Sequence, residues 1–563
     1  MTTIITSFLI FTLCCSSIVH SDPFITFSDQ TSAAGIRTEN TFGGKDKRYI
    51  LEAHGSGAAF FDADNDADLD LYILNGSTFD TFRNLSGPGN AFYRNNGSGS
   101  FDEIKGTTRL EDPRWSAGCA IGDIDNNGLR DVYVTNYGRN SLYLNTGENV
   151  FEDITLSAAV GGNSYSSSAA FFDYDLDGDL DLYVANYVEF DAELLIAKGS
   201  PSPSCRFIGG IEVYCGPKGM PGAADVLYRN EGNRAFTDIT EESGIAPSVN
   251  NYGLGVVVGD YDNDGFFDLF VANDETPNTL LRNTGDGHFV DVALRAGFAY
   301  NGDGDEEAGM GIDLGDYDND GDEDVHITNF FNETNTLYRN DNGENFVDIT
   351  THAGLATPSV NSLAWATKFA DFDNDGFLDL FAANGHVYPQ VAQVMTGSDY
   401  AQTDQVFRNL GNGTFEDLSA LAGPGMQIKR VGRGGTFGDY DNDGDMDVFI
   451  VNLNDLPTLL RNESSNANYW LKVQVIGSGS NRDGLGSSIK LTANGQSQYR
   501  RVRGSGSYLS HNDTRAHFGL GPHSTVETLS IAFPSGKEIS IENIAANTMV
   551  IIHEDGRIDY RDF

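Results

Sequence analysis

Cations are the scarcest charged groups in this sequence: 35 Lys and Arg stand against 82 Asp and Glu, a formal charge of −47 over 563 residues. That balance excludes binding to nucleic acid or to an anionic membrane by bulk electrostatics. Long apolar runs are also missing. Ile4 to Cys15 is the longest, shorter than the roughly 20 residues of a membrane-spanning helix, and small Ser21 follows it. It reads as the core of a secretory leader over residues 1–21. Cysteine is sparse. Cys14 and Cys15 leave with the leader, and the three that remain fit no zinc spacing. In an exported chain Cys205 and Cys215, which bracket a short Pro/Gly-flanked segment, are expected to be joined, and Cys119 reads as a small buried hydrophobe. Gly-x-Ser-x-Gly, His-Glu-x-x-His, P-loop and Cys/His nucleophile patterns are absent too.

Aspartate, in contrast, is concentrated. "GDYDNDGDMDVFIVN" at 438–452 places Asp at alternate positions, and such a nine-residue acidic loop occurs seven times. Positions 1, 3, 5 and 9 are Asp62, Asp64, Asp66 and Asp70 in the first loop and Asp123, Asp125, Asn127 and Asp131 in the second. They are Asp173, Asp175, Asp177 and Asp181 in the third, and Asp260, Asp262, Asp264 and Asp268 in the fourth. Loop five has Asp316, Asp318, Asp320 and Asp324, and loop six Asp371, Asp373, Asp375 and Asp379. Asp439, Asp441, Asp443 and Asp447 complete the seventh. Carboxylates this close repel unless a cation sits among them, and a hard ion with many oxygen ligands, calcium, is the simplest relief. Position 7 can add its carbonyl, and Gly at position 6 permits the sharp turn. Up to seven Ca²⁺ ions are expected. Asx-rich hairpin turns are the plain alternative, but the recurrence of Asp at position 9 goes beyond what a turn requires. The second loop is the weakest, with neutral Asn127 and nearby Arg130, and the first has Ala67 in place of the glycine.

An EF-hand is excluded, because position 12 is apolar (Ile327, Ile450) and the flanks alternate with period two. Before each loop runs a small, apolar segment such as "GLGVVVG"; after it come "DLFVAN", then "LYRN", then "FTDIT". Four short strands per repeat make a propeller blade. The seventh repeat lacks its fourth strand, and "FSDQTSAAGI" from Phe27 matches "FTDITEESGI" from Phe236. The expectation is an all-β chain: a seven-bladed propeller over 22–464, closed by its N-terminal strand, then a small all-β domain over 465–563.

The loops and flanks resemble FG-GAP/VCBS-type repeats, as in the propellers of integrin α chains. "YCGPKGMPGAADVLYRNEGNRAFTDIT" and "NGHVYPQV" resemble the family of secreted cartilage acidic proteins and their bacterial relatives. "SNRDGLGSSIKLTANGQ", "RRVRGSGSYLSHND" and "HFGLG" are similar to the ASPIC/UnbV domain that ends those proteins. The resemblance implies a calcium-binding, extracellular, non-enzymatic protein and leaves its partner open.

Within the tail, "YWLKVQVIG", "SIKLTA", "YRRVRG", "LSIAFP" and "TMVIIHE" read as strands. Arg500, Arg501 and Arg503 form a basic cluster that suits a sulfated or carboxylated glycan; alternatively it is solvated or pairs with the acidic propeller. The leading function is a secreted (extracellular, periplasmic or cell-surface), monomeric binding or adhesion module for a protein or glycan. The alternative is a polysaccharide lyase or hydrolase acting on the propeller face, with Trp365 among its pocket residues. All metal loops join first to second strands and so share one face. The long connections from Tyr187 to Asp225 and from Asn384 to Asp404 lie on the other, where Arg206, Tyr214, His386 and Tyr388 are expected to meet the partner. The chain leaves the last blade at Asn462, so the C-terminal domain is expected on the metal face.

Overall fold

The computed structural model describes residues 25–192, 204–245, 251–394, 397–464 and 466–561. The expected leader, with Cys14 and Cys15, lies outside them. Seven four-stranded antiparallel sheets, numbered here 1 to 7, are built from Phe27–Asn462. Their first strands are Ala58–Phe61, Trp115–Gly122, Ser166–Phe172, Gly253–Gly259, Ile312–Gly315, Ala364–Ala370 and Gly432–Gly438. These strands touch in succession, and Gly432–Gly438 also touches Ala58–Phe61. In sheet 7 the fourth strand is Phe27–Asp29, paired to Thr458–Asn462 with Phe27 opposite Asn462. The strand expected to be missing from the last repeat is therefore supplied by the chain's beginning.

The small residues of the first strands have a structural reason. Most of these strands are buried throughout, and five carry a register shift, as between Ser116 and Cys119 or between Gly432 and Gly435. Such bulges release backbone groups from the ladder. Backbone groups of the first strands, bulged or not, are bonded by a segment of the C-terminal domain, residues 504–513, which lies among them. Cys119 N–H donates to Leu509 O at 3.3 Å, Ser507 N–H to Ile312 O at 2.7 Å, and His511 N–H to Ala58 O at 3.0 Å. A Cβ on Gly57 would lie 1.7 Å from Leu509 O, so only glycine admits the segment there. Tyr508 reaches furthest, 4.9 Å from the Trp365 ring, with its hydroxyl donating to His54 O at 3.3 Å.

The C-terminal domain itself is two four-stranded sheets. Tyr469–Ile476 lies between Ala516–Gly521 and Thr548–His553, the latter parallel to it. Ser488–Ala493 lies between Gln496–Arg501 and Thr525–Ala532. Leu471, Val473, Ile489, Leu491, Phe518 and Leu529 belong to the apolar core of this domain. The expected strand "YRRVRG" ends at Arg501, because Val502 to Gly504 turn away toward the inserted segment.

Candidate metal centres

Each acidic loop is held by a backbone scaffold that repeats in all seven copies. The carboxylate at position 1 accepts the N–H groups of positions 5 and 6: Asp439 from Asp443 at 3.1 Å and Gly444 at 2.9 Å, Asp260 from Asp264 at 3.0 Å and Gly265 at 3.1 Å. Position 5 accepts from position 7, as Asp443 does from Asp445 N–H at 3.0 Å. Position 9 accepts from position 2 and from the asparagine ending the third strand; Asp447 takes Tyr440 N–H at 3.1 Å and Asn462 N–H at 2.8 Å. This last pair welds the loop to its own sheet. Position 6 has positive φ in every loop, including +72° at Ala67.

Position 3 differs from the rest. Asp64, Asp125, Asp262, Asp318 and Asp441 each keep a buried Oδ1 with no hydrogen-bond partner in the protein. Buried acceptors without donors are costly, and charged ones more so. In these loops the carboxylate oxygens also converge, for example those of Asp123, Asp125 and Asp131, within 4.8 Å of one another. Burial, then the charges of Asp443 and Asp439, pushes the Asp441 carboxyl up to about 7. Burial likewise lifts Asp173 to about 7. A cation among these oxygens removes both penalties, so the residues present fit a calcium ion. Asp175 is exposed and Asp373 Oδ1 accepts Asp375 N–H at 3.3 Å, so loops three and six lack the orphaned oxygen. Arg130, expected to weaken loop two, instead faces Asp483 of the C-terminal domain, with Nε 3.3 Å from Oδ1.

Two recurring asparagines link neighbouring sheets. Position 4 is Asn in six loops and sits at positive φ, and its amide bridges to the next loop, as Asn319 Nδ2 does to Gly376 O at 3.1 Å. Leu176 occupies that place in loop three. The "LYRN" asparagine donates Nδ2 to the position 2 carbonyl of the preceding loop. Asn145 reaches Ala63 O at 2.9 Å, Asn230 reaches Ile124 O at 2.9 Å, and the series continues through Asn283, Asn340, Asn409 and Asn462. Asn95 of sheet 1 completes it on Tyr440 O of loop seven.

The C-terminal domain covers the loop face with cations. Lys472 Nζ lies 2.6 Å from Asp439 Oδ2, both buried, and Arg501 reaches Asp260 at 3.5 Å. Arg501 and Arg503 also pair with Glu323. Arg501 and Arg503 therefore face the acidic sheets, and for these two the glycan reading gives way to the pairing.

On the opposite side, Cys205 and Cys215 are joined and Cys119 is a buried free thiol, pushed up to about 12 by burial. Of the four residues expected to meet a partner, only Arg206 is exposed. Tyr214, His386 and Tyr388 are buried at 5%, 0% and 7% exposure and pack on Phe207 and one another, because this apolar cluster fills the space over the sheet ends. Trp365 is also buried, its indole N–H on Gly385 O at 2.8 Å.

Comparison with known proteins agrees with this organisation. The FG-GAP-like repeat model matches six times, at 62–134, 123–184, 209–271, 260–327, 316–382 and 391–450, and the ASPIC and UnbV model matches 477–558. Cartilage acidic protein 1 of Homo sapiens is 28% identical over 344 residues, 58% of this chain and 47% of that protein. The Xenopus tropicalis protein of the same name is 29% identical over 300 residues, 51% of this chain and 43% of that one. The chain thus spans about half the length of the curated relatives it matches. On the strength of its repeats and their C-terminal companion, the chain belongs to the FG-GAP-like repeat family and carries an ASPIC and UnbV domain at its C-terminal end.

Proposed function

We propose that the chain is an extracellular calcium-binding protein whose seven sheets are the blades of a closed propeller, and that it serves as a binding module rather than an enzyme. The observation that carries the metal reading is the orphaned, buried Oδ1 of Asp64, Asp125, Asp262, Asp318 and Asp441. Positions 1, 5 and 9 spend oxygens on backbone N–H groups; position 3 in these five loops has no such role, which marks it for a cation. A bound Ca²⁺ supplies the positive charge that lets the loop carboxylates stay ionised. Side chains at positions 1, 3, 5 and 9 and the carbonyl at position 7 would hold it. The charge of −47 supports the same reading, since self-repulsion opposes compaction without counter-ions.

No helix of the described residues is long and apolar enough to cross a membrane. The relatives' name, with its reference to cartilage, and the joined cysteines support an extracellular setting. The partner, a protein or glycan, is taken to dock on the face opposite the loops, where exposed Arg206 sits beside the disulfide. Thermal unfolding in calcium and after chelation tests the metal. At about ten times Kd each site contributes ~1.4 kcal/mol, so chelation lowers Tm markedly; an unchanged Tm contradicts it. A screen against acidic polysaccharides showing new reducing ends or unsaturated products would contradict the non-enzymatic reading.

A further inference from the structure

A cavity of about 120 Å³ lies between the loop face and the C-terminal domain, lined by Arg500, Arg503, Arg515, His517 and Lys368 among others. Its cations are incompletely satisfied. Arg500 donates Nη1 to its own neighbour's carbonyl, Tyr499 O, at 2.8 Å and Nη2 to Gln498 Oε1 at 3.4 Å, and lies 5.2 Å over the Phe518 ring. No carboxylate of the described residues is within ion-pair distance of it. Its Nε has no acceptor, and neither do Arg503 Nε and Arg515 Nη2, although those two side chains pair with Glu323 and Asp513. Lys368 is spoken for by Asp313 at 2.9 Å.

The wall carboxylates Asp371 and Asp316 attract Arg500 through space but make no ion-pair contact with it. Asp316 accepts from Asp320 and Gly321 N–H at 3.0 Å each, and Asp371 from Asp375 and Gly376 at 3.0 and 2.8 Å, so both are turned to their own loops. Arg500 is half-buried, but its Nε is enclosed; an enclosed donor without an acceptor is costly, and a tetrahedral oxyanion accepts several charge-assisted hydrogen bonds at once. His517 refines the ligand. Its Nε2 lies 3.0 Å from Gly444 O and must donate, which leaves Nδ1 as an acceptor in the neutral ring, and Nδ1 has no donor. Sulfate offers no proton to such an atom. A hydrogenphosphate hydroxyl does.

We propose that this cavity binds one hydrogen-bearing tetrahedral oxyanion, a hydrogenphosphate-type ion, held by the free donors of Arg500, Arg503 and Arg515 and read by His517 Nδ1. Water can enter a polar cavity of this size, but it gives the Arg500 guanidinium no anionic contact. Asp316 and Asp371 of loops five and six also line the cavity, but the atoms proposed to hold the oxyanion belong to no calcium loop, so titration at fixed calcium separates this site from the metal.

Titration calorimetry of the full chain with inorganic phosphate, sulfate and glycerol phosphate decides it. Phosphate is expected to bind saturably, one per chain, with sulfate and the bulkier monoester each about tenfold weaker or worse. Arg500→Gln should weaken phosphate by about tenfold or more. Should that variant fold poorly, Arg500→Lys keeps the charge but loses the fork, and a smaller loss is expected. Three results overturn the assignment. These are no saturable phosphate binding, binding indifferent to both Arg500 variants (as for phosphate on a loop metal), and sulfate or glycerol phosphate bound as tightly as phosphate.

Discussion

The amide of Asn95 donates to the carbonyl of Tyr440 at 2.8 Å across 345 residues of sequence, joining sheet 1 to the loop of sheet 7. The same Nδ2 also donates to Leu69 O at 3.0 Å. Both carbonyls are buried with it, so Asn95→Ala leaves them short of a donor. The variant is expected to lose about 2–4 kcal/mol in denaturant unfolding. Asn230→Ala, which breaks the equivalent link between sheets 2 and 3, should cost a similar amount. A loss below about 0.5 kcal/mol for both would show the links to be incidental.

Two position 6 substitutions should act in opposite directions. Ala67 holds φ +72° where all six other loops place glycine at φ +89° to +101°, so Ala67→Gly is expected to raise stability by about 1 kcal/mol. At Gly444 a Cβ would stand 1.8 Å from the Trp470 indole nitrogen, at φ +97°. Gly444→Ala should therefore damage both loop seven and the seating of the C-terminal domain. Equal effects of the two changes would refute the backbone argument.

The strands, the loops and the fourth strand that Phe27–Asp29 gives sheet 7 were legible in the sequence because each carries a motif of residues a few positions apart. Strand alternation and the fixed nine-residue spacing are local signals. Three things were not legible. The small residues of "GLGVVVG" show that something approaches the backbone, but not that it is 504–513 from another domain. The asparagine of "LYRN" was visible as a repeat, yet its acceptor lies on a neighbouring sheet. Aspartates at positions 3 and 9 look alike in sequence; only their hydrogen bonds separate a carboxylate with an orphaned oxygen from one that welds loop to sheet. His386 and Tyr388 read as loop residues, and their burial under Phe207 follows from an insertion folding back.

Tyr508 tests the inserted segment. It is fully buried against Trp365, where the Arg433 guanidinium stacks 4.1 Å from the ring on the other contact. Tyr508→Ala is expected to cost about 3–5 kcal/mol, by loss of packing at the centre of the sheets. Tyr508→Phe removes only the bond to His54 O and should cost about 1 kcal/mol. If Tyr508→Ala unfolds the C-terminal domain alone and leaves the first seven sheets unchanged by calorimetry, the segment is not a shared core.

Glu554 sets a pH dependence. Burial pushes its carboxyl up, but the Ser535 hydroxyl and the N–H groups of Ser478, Ser480 and Gly479 outweigh this and hold it at about 2. A folded value below the unfolded one stabilises above the unfolded pKa of 4.5, and the contribution is lost as pH falls toward 2. It is worth about 2–3 kcal/mol at neutral pH. Glu554→Gln should lose most of that at pH 7 and converge with the parent chain in acid. A constant difference across the range would contradict the assignment.

Calcium content measured against position tests the central claim most directly. Equilibrium dialysis in millimolar calcium should give several ions per chain, approaching one for each of the seven loops. Asp441→Ala should remove one ion and lower stability in calcium, yet leave the chelated protein as stable or more so, because its orphaned carboxylate is gone. Asp447→Ala, which strips Tyr440 and Asn462 N–H of their acceptor, should destabilise in both conditions. Fewer than one ion bound per chain, or an Asp441→Ala variant that retains every ion, would contradict the account.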